Sequence, residues 1–142
     1  MKDLIEKDTT DSGDNIRDVI KLLKQNGISL LPINLPKNYP FKVFDIILRS
    51  ESGAHFDELV RSGKVDNMVQ QNQKSRANSL RQSRFIPAVE YIQANRFRSK
   101  LIEEMHSIME EIDVLISPTS GGNQLMITNL TGHPVVCVPT GF

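Results

Sequence analysis

The chain has a single cysteine, no excess of either charge and no long apolar run, and each absence excludes a class of protein. Cys137 alone leaves no internal disulfide to staple the fold. The 17 basic side chains balance 17 acidic ones, for a formal net charge of zero. Neither nucleic acid nor an anionic membrane surface is therefore expected as a partner. No apolar stretch reaches the roughly 18 residues that a membrane-spanning helix needs. Residues 1–10 are charged and carry no apolar segment, so the expected location is cytoplasmic. His55, His106 and His133 lie far apart without ligand spacing, which argues against zinc. Gly121 and Gly122 lack the Gly-Lys-Ser/Thr ending of a phosphate loop. No cofactor is indicated.

What is present suits one domain. A chain of 142 residues can bury roughly 70% of the surface that its unfolded form exposes, and no internal repeat or domain boundary interrupts residues 1–142. Ile16, Val19, Ile20 and Leu23 recur at helical spacing, which predicts an amphipathic helix over residues 15–25. Asp11, Ser12 or Asp14 is available as its cap and Gly27 as its stop. Residues 28–35 are apolar but broken by Pro32 and followed by Pro36 and Pro40. They read as an interrupted or edge strand, since proline cannot donate to a ladder.

Phe44, Ile47, Leu48, His55, Phe56 and Leu59 predict a second helix, weakened at Gly53 and ended by Gly63. Residues 66–83 are rich in Gln, Asn, Ser and basic side chains. They are expected to form an exposed connection with some helical turns, with only Met68, Val69 and Leu80 to offer a core. Pro87 suits a first helical turn, and Val89, Ile92, Phe97, Leu101, Met105, Ile108 and Ile112 give the longest helix one apolar face. Short apolar strands are then expected at residues 114–116 and 135–138, with a short helix over residues 125–130 between them, stopped by Gly132.

Strands alternating with helices imply parallel pairing and an α/β class. Three strands are few for a sheet covered on both faces. Val135, Val136, Cys137 and Val138 would form an exposed edge, so the isolated chain is expected to self-associate. Cys137 itself reads as a core residue of that strand.

Two segments carry a more specific pattern. Asp113, Val114, Leu115, Ile116, Ser117, Pro118 and Thr119 lead through a glycine-bearing loop to Asn129, Leu130, Thr131, Gly132, His133, Pro134 and then Val135 to Pro139. Upstream, Leu48 to Leu59 combines a Glu, small residues and a Phe-Asp-x-Leu element, and Tyr91, Ala94, Arg98 and Leu101 fall on the long helix. Taken together from Ile16 to Phe142, this resembles the C-terminal section of the amidase-signature family of serine amidohydrolases, which includes the A subunit of glutamyl-tRNA amidotransferase. The resemblance implies part of an α/β/α sandwich with a mixed, mainly parallel sheet, incomplete in this chain.

It also implies hydrolysis of a carboxamide C–N bond by a serine acting with a second, cis-peptide serine and a lysine. The chain contains no Gly-Gly-Ser-Ser stretch, and Ser117, Ser120 and Lys100 match other family positions, so no catalytic residue can be carried over. The implied partner is a small amide bound by the complete enzyme.

By the same resemblance, Thr119, Ser120, Gly121, Gly122 and Asn123 would border the acyl pocket, although they serve equally well as turn residues. Arg84 stands where the tRNA amidotransferase subunits carry an arginine that binds a substrate carboxylate. A solvated arginine in a basic segment with Lys74, Arg76 and Arg81 explains it as well. The acidic residue that reads a glutamine amino group in those subunits has no counterpart here. Asn129 and Thr131 can satisfy local backbone groups, and a structural role is expected for them and for His133. The alternative to an amidase segment is a non-catalytic scaffold or interaction module.

Overall fold

The computed structural model describes residues 11–118 and 122–139, the side chains of residues 11–14 excepted. Among the described residues, six α-helices and two 3-10 turns make up the regular structure, and no strand occurs. The chain forms two compact units, one of Pro40–Ser99 and the other drawn from Met1–Tyr39 and Lys100–Phe142.

In the Pro40–Ser99 unit, a 3-10 turn at Phe41–Phe44 leads into α2 (Asp45–His55), and α3 (Asp57–Arg61) follows after a break at Phe56. Gly63 adopts φ 73° and starts a second 3-10 turn, Lys64–Asn67. A left-handed backbone is costly for any residue with a Cβ, and Gly63 supplies it without strain. Helix α4 (Arg76–Ser83) begins at Ser75, whose hydroxyl accepts from the Asn78 N–H at 3.2 Å.

Phe44, Ile47, Val65, Ala77, Leu80 and Ala94 are buried and form the apolar core of this unit. Each large side chain among them stabilises by roughly 1.5–3 kcal/mol. Helix α2 packs directly on α4. The approach is so close that a Cβ on Gly53 would lie 2.1 Å from Ser83 Oγ and 2.7 Å from Ser83 Cβ. The glycine read as a weak point in a helix is the residue that lets the two backbones meet.

The polar stretch after residue 66 is more ordered than its composition suggests. Gln71 Nε2 donates to the Val65 and Met68 carbonyls at 3.0 and 2.8 Å, and its Oε1 accepts from Arg81. Arg81 also pairs with Asp66, and the Arg76 guanidinium lies 5.9 Å from the Phe56 ring centroid. Arg81 thus holds the loop to α4, while Arg76 reaches the break between α2 and α3 at Phe56. Leu80 is buried as expected, while Val69 is fully exposed.

Helix α5 (Ala88–Met109) runs from this unit into the other. Its expected apolar face is buried only at Leu101 and Met105, whereas Val89 and Ile92 are exposed and Ala94 is buried instead. In the second unit, α1 (Asp11–Gln25) leaves Ile16, Val19, Ile20 and Leu23 less exposed than their neighbours, as their spacing required. The helix already includes Asp11, Ser12 and Asp14, so it starts before the expected boundary. Helix α6 (Gln124–Thr131) buries Ile127 and ends at Gly132, φ 80°, with the Gly132 and His133 N–H groups both donating to the Thr128 carbonyl.

The α/β class is overturned by this helical architecture, and with it the incomplete sandwich. Residues 28–35 contain no strand, and Ile28 and Leu31 are exposed. Residues 114–116 and 135–138 contain none either, and Val114, Ile116, Val135, Val136 and Val138 are all exposed. A strand exists only through a partner that satisfies its backbone groups. Apolar runs of three or four residues with no neighbour to pair with therefore stay irregular. Cys137, expected in a core, is exposed for the same reason. No helix among the described residues is long and apolar enough to cross a membrane.

Candidate functional site

The Pro40–Ser99 unit carries an open cavity of about 320 Å³. That volume falls at the lower end for small-molecule pockets, enough for one ring or a short amide. Helix α2 contributes Ser50, Gly53 and Ala54, and Asp57 comes from the first turn of α3. Ser83 and Arg84 lie at the C-terminal end of α4, and Ile86, Ala88 and Tyr91 complete the lining at the start of α5. The close approach of Gly53 to Ser83 brings the two walls together.

Arg84, singled out by the family resemblance, lines this cavity and is engaged in an ion pair. Its Nη1 donates to Asp57 Oδ1, and its side chain is about one-third exposed at 35%. The second oxygen of Asp57 accepts from Arg61 Nε at 2.5 Å, one turn along α3. Two guanidinium groups thus share one carboxylate, so the three side chains carry a net charge of +1. Arg84 leads into this contact from the C-cap of α4, where its own N–H bonds the Gln82 carbonyl.

Polar groups elsewhere in the lining have unequal partners. Ser83 Oγ donates to the Leu80 carbonyl at 2.7 Å, whereas the buried Ser50 Oγ has no hydrogen-bond partner among the described residues. An unmade bond at a buried hydroxyl costs about 1–3 kcal/mol. Tyr91 donates at 3.5 Å, the limit of a hydrogen bond, to Glu51 Oε1, which also lies 3.8 Å from Arg98 Nη1. The charged pair of Arg84 and Asp57 and the hydroxyl-bearing Ser50, Ser83 and Tyr91 are its polar lining residues. Ala54, Ile86 and Ala88 supply apolar surface between them.

The other expected site residues belong to the second unit. Thr119, Ser120 and Gly121 lie outside the described residues. Gly122 adopts φ 61°, and Asn123 precedes α6 with its carbonyl accepting from the Ile127 N–H at 2.9 Å. The Asn123 side chain makes no capping bond. Gln124, buried beside them, donates from Nε2 to the Pro118 carbonyl at 3.0 Å and ties the two sides of the loop. Thr131 bonds the Ile127 carbonyl at 2.8 Å and the His133 ring at 2.7 Å, the local role read for it.

Tyr39, in the same unit, donates to Glu104 Oε2 at 2.8 Å. Its pKa is pushed up to about 12 by burial first, then by that bond and by the charges of Glu104 and Glu103. Among the described residues, no group of three or more His, Cys, Asp and Glu side chains converges.

No family model, curated protein or solved structure matches this chain. The functional reading rests on the residues themselves. Asp57 was not expected as a site residue, having been read only within the Phe-Asp-x-Leu element of the resemblance. Its contact with Arg84 spans 27 positions, and no local signal announces it.

Proposed function

We propose that this chain is the C-terminal part of an amidase that hydrolyses carboxamide C–N bonds by a serine, cis-serine and lysine mechanism, with the reacting residues outside these 142. The residues present provide binding surface. Arg84 and its neighbours offer a binding surface for a small amide, and Thr119 to Asn123 are candidate substrate-binding residues by the resemblance alone.

The observation that carries this reading is the exposure of the two apolar segments on which the resemblance is most specific. Val114 is 72% exposed and Val136 is 83% exposed, with Val135 and Val138 similarly open. Covering each such side chain contributes roughly 1.5–3 kcal/mol. Leaving them all open forfeits an amount of the same order as a domain's whole stability. Segments of this composition are suited to cover that the described residues do not give them. In the isolated chain, a second copy provides that cover, and self-association follows.

The reading frame upstream of Met1 tests the proposal. A continuous frame encoding a lysine and a Gly-Ser-rich double-serine segment supports it, and a start codon at Met1 with its own ribosome site favours the scaffold instead. The purified chain is expected to leave simple carboxamides, anilides and glutamine unchanged above buffer background. Turnover that survives repurification and disappears when a residue of this chain is mutated would overturn the assignment of catalysis to residues outside it.

A further inference from the structure

The contact between Arg84 and Asp57 has a consequence for what the cavity accepts. A guanidinium beside a small-molecule pocket ordinarily selects a carboxylate, because its planar fork matches two carboxylate oxygens. Here, one edge of that fork is already taken by a carboxylate of the chain itself. Asp57 does not depend on Arg84 alone, since its second oxygen is bound by Arg61. It is therefore held in position whether or not a ligand arrives. An incoming anion must either displace Asp57 from Arg84 or sit beside it, where two carboxylates repel at short range. A neutral amide meets neither obstacle, as its oxygen can accept from the remaining guanidinium N–H groups and its NH2 can donate toward Asp57.

We propose that Asp57 is an internal competitor for Arg84, so that the cavity formed by α2, α3, α4 and the start of α5 admits a neutral carboxamide in preference to a carboxylate. This deepens the amidase reading by assigning the charge of the group held at Arg84, and it rests on that reading for taking the cavity as the substrate's. Asp57 is here a specificity-determining residue, and Arg61 positions it. Ion pairs at this level of exposure contribute little to stability. The pair is thus better placed to set selectivity than to hold the fold.

Benzamide and benzoate test the proposal, because they differ in charge and hardly in shape. Each is titrated into the full 142-residue chain and followed through the backbone amide NMR signals of Ala54 and Ile86, which locate binding in the cavity. The wild-type chain should bind benzamide more tightly than benzoate. Asp57→Asn should strengthen benzoate binding roughly tenfold or more, the scale of one hydrogen bond to a charged group. Benzamide should change less than about twofold, well below the tenfold that 1.4 kcal/mol represents. The gain for benzoate should vanish when Arg84→Ala is added to Asp57→Asn.

Asp57→Ser provides a second variant lacking the charge, should the asparagine disturb α3. Benzoate binding that is unchanged or weaker in either folded variant overturns the proposal, as does a gain that survives loss of Arg84. Tighter binding of benzoate than benzamide by the wild type overturns it without any variant, and so does a failure of both ligands to shift Ala54 and Ile86. These results are read by binding alone, so they are separate from the upstream-frame test of the amidase assignment.

Discussion

Gly53→Ala tests whether the contact between α2 and α4 is as close as the structure has it, and the sign of the effect decides. In an exposed helix interior, replacing glycine by alanine stabilises by roughly 0.5–1 kcal/mol, because the unfolded chain loses freedom and the helix gains propensity. At Gly53, the new methyl would fall 2.1 Å from Ser83 Oγ and 2.7 Å from Ser83 Cβ. Rotating the hydroxyl away relieves the first clash and breaks the bond to the Leu80 carbonyl. The second clash remains, because Cβ is fixed to the backbone of α4. The helices must then separate, and overpacking of this kind costs about 1–3 kcal/mol.

Allowing for the propensity gain, Gly53→Ala should destabilise by up to about 2 kcal/mol, measured as a lower urea midpoint at unchanged slope. Ser83→Gly removes both opposing atoms, so adding it to Gly53→Ala should recover part of the loss relative to the sum of the single changes. A double-mutant cycle isolates that coupling. Stabilisation by Gly53→Ala, or strict additivity with Ser83→Gly, would refute a direct contact between these two positions.

Two further outcomes are expected. Light scattering of the chain at micromolar concentration should show a dimer or larger species, reduced by Val136→Lys, which places a charge on surface that is 83% exposed; a wild-type monomer would count against cover by a second copy. Spectrophotometric titration of the 2 tyrosines should show one ionising near 12, and Tyr39→Phe should remove that step. Because the folded pKa lies above the unfolded value of 10.0, the contribution of this group to stability is complete below pH 10 and declines as pH rises toward 12. Absence of a step near 12 that Tyr39→Phe removes would show that the pairing of Tyr39 with Glu104 is not made.

Helices were legible in the sequence wherever one apolar stripe and one stop residue coincided. The stripe Ile16, Val19, Ile20 and Leu23 marks the less exposed side of α1, and Gly132 ends α6 in the left-handed conformation anticipated for it. These features are local, since an α-helix closes its hydrogen bonds within four residues and its stop depends on a single φ. Helix α4 was harder to read because its polar surface hides a core of only Ala77 and Leu80, and its cap at Ser75 sits in a run of polar residues. For the long helix, spacing gave its extent more faithfully than its buried face, because tertiary packing chose Ala94 over Val89 and Ile92.

The strands failed for the opposite reason. Apolar runs at residues 114–116 and 135–138 state a preference for burial, but pairing depends on a partner elsewhere, and the exposed Val136 and Cys137 have none in a ladder among the described residues. The candidate site divides along the same line. Arg84 was singled out by the family resemblance, and a guanidinium suits the carboxylate expected there. Its engagement by Asp57 was not legible, because the two are 27 positions apart and meet only when α4 folds back on α2. Composition and local periodicity determined where this chain turns helical. Tertiary contact alone decided that Gly53 had to be small, that Asp57 would hold Arg84, and that the apolar segments would remain uncovered.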